Sequence, residues 1–234
     1  MNNLFLYGKT YNDTIIILDK TTAGETNECR KLFKRKGGIY NFNDMVFKNW
    51  VPYLWTSGLK DAYIISETKT SQRTSFVLKS EDSKMKQDLI ENINKNFDWL
   101  HICYVDDVEC FEKLSLINIP HSLDFCTNKP RTQFLDIMKR TKFILDSRER
   151  KYLYKNINIE TPIVFHDEFG IEIIINSSSI YRAKNTPLQN LEVNGAGDIF
   201  AAYMIDNYHI LGIMKSSKNA MLETTKKLKN RNTK

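Results

Sequence analysis

The sequence predicts an α/β fold in which helices cover both faces of a mostly parallel sheet, with a small β appendage at one end. Short apolar runs alternate with helical segments from about residue 85 onward, and this alternation is typical of parallel sheets. The apolar runs nearer the N-terminus come in pairs without helices between them. With 234 residues, 41% of them hydrophobic, the chain is long enough to form one large domain.

The N-terminal third is predicted to be mainly β. Its β-branched and aromatic runs are typical of strands, and Gly8 is predicted to end the first of them. The strands predicted here cover residues 4–7, 14–18, 63–65 and 74–78, and a short helix is predicted over 41–50.

The remaining two thirds are predicted to alternate regularly. Met85, Leu89, Ile93 and Phe97 recur at helical spacing and form one apolar stripe. Further strands are predicted over 100–105, 122–125, 143–145 and 163–165, with helices over 108–116, 133–139 and 148–154, and residues 170–175 as a hairpin partner of the last strand. We expect a single domain over residues 1–234, with a β lid formed by about 12–37 and 63–80.

Composition excludes several classes of protein. No apolar run reaches the ~20 residues that span a bilayer, and residues 1–7 lack the features of a secretory signal, so we expect a cytoplasmic protein without a membrane partner. The net charge is +6, but no aromatic residues interleave with the basic C-terminus, so we do not expect nucleic-acid binding. The four cysteines lack zinc-site spacing and are predicted to be free thiols.

The most informative stretch is E-V-N-G-A-G-D-I-F-A-A, residues 192–202. A glycine-rich turn leads into an apolar helix, whose first N–H groups and dipole form an anion site. Gly195 and Gly197 permit an approach that side chains would block. Asp198 then lies beside this site, where it can accept a proton from an attacking hydroxyl, as phosphoryl transfer requires. A helix-capping aspartate in a glycine turn explains the local pattern equally well.

Further motifs occur in a fixed order along the chain. G-K-T-Y-N-D at residues 8–13 is followed by A-G-E-T at 23–26 and by the di-glycine at 37–38, and S-L-D at 122–124 precedes D-S-R-E at 146–149. With G-A-G-D-I-F at 195–200, this order resembles the ribokinase-like family of carbohydrate kinases, also called the PfkB family. The resemblance spans residues 4 to about 225, and the asparagine before the last motif is similar to the form seen in adenosine kinases.

The resemblance implies a three-layer ribokinase-like fold and an ATP-dependent carbohydrate kinase, which transfers the γ-phosphate of ATP to a hydroxyl of a sugar or sugar-like substrate. It implies Mg²⁺ as cofactor and a homodimer formed through the lid. It also implies a role for each matching residue: Asp198 as base, the amides of Gly195, Ala196 and Gly197 as anion hole, Asp13, Gly38 and Asn41 for the substrate, Asn194 and Gly170 for the nucleotide, and Asp146 and Glu149 for the metal.

Several departures from the family pattern leave an alternative open. Tyr11 and Asp146 stand where the family has asparagine, and Asp167 stands where its nucleotide loop usually begins. In the family three residues separate the di-glycine from the asparagine that follows it, whereas here two residues separate it from Asn41 and four from Asn43. The chain is also shorter than usual. The alternative is a catalytically degenerate family member that binds a sugar or nucleotide in a regulatory or scaffolding role.

Overall fold

The computed structural model describes residues 2–43, 45–70, 73–78, 85–104, 114–126, 128–188 and 193–232. Its strands are β1 (Asn2–Leu18), β2 (Lys31–Gly38), β3 (Trp50–Glu67), β4 (Arg73–Val77), β5 (Trp99–Ile102), β6 (His121–Asp124), β7 (Phe143–Ser147), β8 (Ile163–Asp167), β9 (Gly170–Ile175) and β10 (Ser178–Lys184). Its α-helices are α1 (Gln87–Asn96), α2 (Leu135–Arg140) and α3 (Ala196–Asn232), and its 3-10 helices are Ile39–Phe42, Arg131–Phe134 and Arg148–Tyr154. Gly212 has φ 70° and kinks α3 into two segments.

All ten strands belong to one sheet, in the order β10-β9-β8-β7-β6-β5-β1-β3-β4, with β2 paired to β1. The central pairs, from β3 through β1 and β5 to β8, are all parallel. Strands β9 and β10 add an antiparallel pair at one edge. The predicted α/β class with a mostly parallel sheet is therefore confirmed.

The sheet is the middle of three layers. Successive side chains of a strand point to opposite faces, so Phe5 and Tyr7 pack with α1 and α2, whereas Leu4 and Leu6 pack with α3. Each such buried apolar side chain stabilises the fold by roughly 1.5–3 kcal/mol. None of the helices in the described ranges has both the length and the apolar character that a membrane span requires.

Strands β1 and β3 are long enough to leave the central sheet. They pair in parallel up to Leu18 and Glu67, with one register shift between Gly8 and Thr10. Beyond this shift they pair with β2 and β4. These four strands past Gly8 are called the β extension below.

Two local predictions in the N-terminal third are wrong. Gly8 does not end the first strand, because a bulge accommodates it and β3 pairs on both sides of it. A Cβ at this position would lie 2.4 Å from Ile39 Cγ2, so the glycine is required by close packing. The helix predicted over 41–50 is absent from the described residues there, which contain only the end of the 3-10 helix Ile39–Phe42 and the first residue of β3.

The later elements agree more closely with the sequence. Helix α1 and strands β5 to β9 lie within a few residues of their predicted bounds. Strand β10 was not predicted, because its mostly exposed residues lack an apolar pattern. Most of the helix predicted over 108–116 lies outside the described residues.

Candidate active site

A cavity of about 970 Å³ lies between the β extension and the carboxyl ends of the central strands. This edge is where open α/β sheets bind ligands. It is lined by most of the predicted site residues, namely Asp13, Gly38, Asn41, Glu149, Asn194, Gly195, Ala196, Gly197 and Asp198. The two other predicted residues, Gly170 and Asp146, are not among those lining the cavity.

Asp198 lies in the first turn of α3 and is only 6% exposed. Its carboxylate accepts hydrogen bonds from Asn41 Nδ2 at 2.7 Å and from the Tyr104 hydroxyl at 2.8 Å. Burial raises the pKa of Asp198 to about 6, although the bonds from Tyr104 and Asn41 oppose this shift. A carboxyl group with this pKa can take up or release a proton near neutral pH.

The glycine turn before α3 presents backbone donors to the cavity. Gly195 has φ 80°, and a Cβ there would lie 2.8 Å from the Asn41 amide, so the turn requires glycine. The Ala196 N–H donates to Val193 O at 3.0 Å. Among the backbone bonds of the described residues, none uses the N–H of Gly195 or Gly197. These two amides at a helix N-terminus are suited to bind an anion.

Asn194 connects the glycine turn to the β extension. Its amide nitrogen donates to Asp13 Oδ2 at 3.0 Å, and its amide oxygen accepts from Arg73 Nη1 at 2.5 Å. Its backbone carbonyl accepts from Arg35 at 2.7 Å and from Arg231 at 2.9 Å. The side chain predicted to contact the nucleotide is therefore engaged with Asp13 and Arg73 of the β extension.

The residues after the di-glycine resolve which asparagine reaches the site. Gly38 has φ 64°, and a Cβ there would lie 2.2 Å from Lys9 O, so this turn also requires glycine. It leads into the 3-10 helix that buries Asn41 against Asp198. Asn43 is exposed and does not line the cavity. Of the two candidates, Asn41 is the one at the site.

Asp146 is fully buried and surrounded by donors. Its Oδ2 accepts from Arg131 Nη2 at 2.9 Å and from the Tyr154 hydroxyl at 2.7 Å, and its Oδ1 accepts from Arg150 Nε at 2.6 Å and from the Ser147 N–H at 2.7 Å. A carboxylate offers about four lone-pair positions, so these donors leave no oxygen position for a cation. The metal-binding role predicted for Asp146 does not fit this geometry.

Glu149 is exposed at the cavity wall, and its carboxylate has no protein partner among the described residues. In the same ranges, no group of three or more His, Cys, Asp or Glu side chains is placed to hold a metal ion. A Mg²⁺ ion in kinase sites is bound through one or two carboxylates together with the substrate phosphates. Glu149 fits that mode of binding, in which the nucleotide supplies the remaining ligands.

Gly170 forms the turn between β8 and β9. Its N–H donates to Asp167 Oδ1 at 2.9 Å, and Asp167 also pairs with Arg148 at 3.2 Å. A Cβ on Gly170 would lie 2.1 Å from Ala183 O. Its observed role is to shape this turn, whose neighbouring residue Phe169 lines the cavity.

Two of the residues that line the cavity, Tyr104 and Arg150, were not predicted to belong to the site, whereas His166 was considered as a contact to the nucleotide. Each lies within a few residues of the carboxyl end of a buried strand, which is the signal that could have indicated them. The His166 ring stacks on Phe200 with centroids 4.6 Å apart. Burial, followed by the charges of Arg150 and Arg148, lowers the pKa of His166 to about 4, so the ring is neutral at pH 7.

Comparisons with known proteins identify the fold. No family model matches the sequence, and no curated protein resembles it significantly. Solved structures do match. A nucleoside kinase from Burkholderia thailandensis in complex with inosine aligns with TM-score 0.70 and 11% identity, over 96% of this chain and 90% of that one. Ribokinase from Arabidopsis thaliana, complexed with ribose and ATP, aligns with TM-score 0.66 and 11% identity, over 95% and 91%.

An archaeal relative gives the same result. The nucleoside kinase from Methanocaldococcus jannaschii, described as a member of the ribokinase family, aligns with TM-score 0.61 and 15% identity, over 96% of this chain and 90% of that one. These alignments extend over nearly the whole of each chain, so the likeness concerns the complete architecture and not one motif. The chain has the ribokinase-like fold.

Proposed function

We propose that this chain is an ATP-dependent carbohydrate kinase of the ribokinase-like family, which phosphorylates a hydroxyl of a sugar or sugar-like substrate. The observation that carries the proposal is the buried Asp198 carboxylate, which accepts from the neutral donors Asn41 and Tyr104. It lies next to the Gly195 and Gly197 amides, which make no backbone hydrogen bond within the described residues. A proton acceptor beside an anion site is the arrangement that phosphoryl transfer to an alcohol needs. The solved relatives hold ribose, inosine and ATP, which supports this class of substrates.

In the proposed reaction, Asp198 accepts the proton of the acceptor hydroxyl as its oxygen attacks the γ-phosphorus. The bond between this phosphorus and the β–γ bridging oxygen breaks, and ADP leaves with the electron pair. The amides of Gly195 and Gly197 stabilise the charge on the phosphoryl oxygens during transfer. Asp13 and Asn41, which bond the glycine turn and the base, orient the acceptor.

Glu149 is the residue proposed to hold Mg²⁺, together with the donor phosphates. When bound, the ion supplies positive charge that neutralises the phosphates. Asp146 takes no part in this site, because its oxygens are occupied by Arg131, Arg150, Tyr154 and Ser147.

The β extension is proposed to act as a lid. Side chains of its strands, including Tyr11 and Ala62, line the cavity on the side facing the glycine turn. Two of its arginines, Arg35 and Arg73, bond Asn194 and so connect the extension to this turn. A closed lid excludes water from the transferring phosphoryl group and strengthens the electrostatic interactions there. Strand β4 ends the sheet order with all its residues exposed, and a homodimer is proposed to form at this edge.

The proposal is tested by ADP release with Mg²⁺ and ATP across a panel of sugars, sugar phosphates and nucleosides. We expect one class to stimulate release, and Asp198→Asn to lower the stimulated rate by about 10²- to 10⁴-fold, since this is the usual contribution of a general base. The matched control is Asp206→Asn. Asp206 is equally buried on the same helix, but it binds the N–H groups of Lys48 and Asn49 outside the cavity.

The control is expected to retain the wild-type rate. A full rate in Asp198→Asn would contradict the assignment of the base. No stimulation by any acceptor, with nucleotide or sugar binding still measurable, would favour the catalytically degenerate alternative.

A further inference from the structure

Arg150 is a cationic side chain at the cavity with no role in the reaction proposed above. It lies in the 3-10 helix Arg148–Tyr154, directly after β7. Its side chain is 19% exposed and lines the cavity. The neighbouring lining residues at the ends of the central strands are Asp124, Cys126, Ser147, Glu149 and His166.

The guanidinium of Arg150 is fixed on one side and open on the other. Its Nε donates to Asp146 Oδ1 at 2.6 Å, and its Nη2 donates to Phe125 O at 2.9 Å. Its Nη1 has no hydrogen-bond partner within the described part of the chain. A fixed planar guanidinium with a free N–H edge loses little conformational entropy when it binds an anion.

Arg150 shares its counter-charge, the Asp146 carboxylate, with a second arginine. The carboxylate of Asp146 is shared with Arg131, whose guanidinium is fully buried and 2.9 Å away. One carboxylate therefore faces two guanidinium groups, and the charge of Asp124 also helps to raise the pKa of Arg150. In contrast, Arg148 pairs with Asp167 and Arg73 bonds the Asn194 side chain.

We propose that Arg150 binds the polyphosphate of the donor nucleotide, with Asp146 and the Phe125 carbonyl holding its guanidinium in place. This inference rests on the proposed function, because it concerns the donor of that reaction. His166 lies between Arg150 and the glycine turn that is proposed to bind the transferring phosphoryl group. A Cβ on Gly197 would lie 3.7 Å from His166 Cε1, and the charge of Arg150 helps to lower the pKa of His166. Phosphate oxygens are the acceptors that a guanidinium edge binds best.

The experiment measures the binding of two probes by calorimetry, MgADP and inorganic tripolyphosphate, which carries phosphates without a base or a sugar. We expect Arg150→Ala to weaken both by about 10- to 100-fold, since a hydrogen bond to a charged group contributes on this scale. Arg150→Lys should recover only part of the loss, because an ammonium cannot bond Asp146, Phe125 O and a phosphate in the same geometry.

The matched control is Lys151→Ala. It removes a positive charge from the next residue of the same 3-10 helix, but Lys151 pairs with Glu172 at 2.8 Å and does not line the cavity. We expect it to keep both affinities within about twofold. A circular dichroism melt of each variant checks that the fold is retained.

The outcomes separate this inference from the proposed function. If the wild type binds both probes and folded Arg150→Ala or Arg150→Lys binds them equally well, the inference is overturned and the kinase proposal stands. If the wild type binds neither probe, the proposed function fails and the inference fails with it.

Discussion

Asp146 and Asp198 are the same chemical group, both buried, in environments of opposite kind. Asp146 does not line the cavity, and it accepts from two arginines, a tyrosine hydroxyl and a backbone amide. Asp198 lies at the cavity, and the hydrogen bonds that its side chain accepts from the described residues come from the neutral donors Asn41 and Tyr104. The first carboxylate is fixed by opposite charge, whereas the second keeps a pKa of about 6 and can exchange a proton. Burial therefore fits a structural role for Asp146 and the proposed role of Asp198 as a base.

The difference follows from the cost of burying a charge. A carboxylate removed from water is destabilised unless opposite charges and hydrogen bonds compensate. Around Asp146 the compensation is complete, and Arg150 and Tyr154 connect it to the 3-10 helix Arg148–Tyr154 that follows β7. Around Asp198 it is partial: two neutral hydrogen bonds and the more distant charge of Arg73 lower the pKa, and burial and Asp13 raise it. The part that is not compensated raises the pKa of Asp198, and this raised pKa is what suits the group to the proposed role of a base.

The largest effect expected from this comparison is on stability. Asp146→Ala leaves Arg131 and Arg150 without their counter-charge, and breaking a buried ion pair in this way costs about 3–5 kcal/mol. Urea unfolding measures this as a lowered midpoint. Asp198→Ala leaves no hydrogen-bonded arginine without its counter-charge, because the donors to Asp198 are the neutral Asn41 and Tyr104. It should therefore lower the free energy of unfolding much less. Equal losses in the two variants would contradict the distinction between the carboxylates.

The second effect is a pH dependence with a definite sign. The folded-state pKa of Asp198 is about 6, above the unfolded value of about 3.9, so the folded state binds the proton more tightly. The free energy of unfolding of the wild type, relative to that of Asp198→Asn, is therefore highest below about pH 4 and falls as the pH rises to 6. The expected loss is up to about 3 kcal/mol, from about 1.36 kcal/mol per unit.

The measurement for this second effect is the free energy of unfolding of both proteins from pH 4 to 8. The same group predicts that kcat/KM declines below about pH 6, as the base becomes protonated. Stability curves that run parallel across the whole pH range would show that Asp198 does not titrate as its burial implies.

Sequence alone predicts Asp198 and the glycine turn because their geometry is local. Gly195, Gly197 and Asp198 lie within one turn of a helix N-terminus, so spacing fixes their relation. The role of Asp146 could not be predicted in this way. Its partner Arg131 comes from a separate 3-10 helix, and only tertiary packing brings the two within hydrogen-bond distance.

The fold shows the same division. The alternation of strands and helices after residue 85 depends on local periodicity and gives the central sheet correctly. The continuity of β1 through Gly8 depends on its long pairing with β3, a partner more than 40 residues away. Tyr104 has a position that the strand end indicates, but its bond to Asp198 depends on how β5 and α3 pack together.

The smallest effect, and the most specific, concerns the neutral donors of Asp198. Asn41 stabilises the ionised carboxylate through its 2.7 Å bond and lowers its pKa. Asn41→Ala should therefore move the acid limb of the kcat/KM profile to higher pH, by up to about one unit, since one neutral hydrogen bond contributes about 1 kcal/mol. The position of the limb is the readout, because the absolute rate also reflects contacts with the acceptor.

Asn43→Ala is the matched control for this last change. Asn43 is the other asparagine after the di-glycine, but it is exposed and does not line the cavity, so its removal should leave the limb in place. Tyr104→Phe removes the second donor and should shift the limb in the same direction as Asn41→Ala. If neither Asn41→Ala nor Tyr104→Phe moves the acid limb of the kcat/KM profile, these neutral donors do not set the pKa of Asp198. The contrast with Asp146 would then rest on the charge of its partners alone.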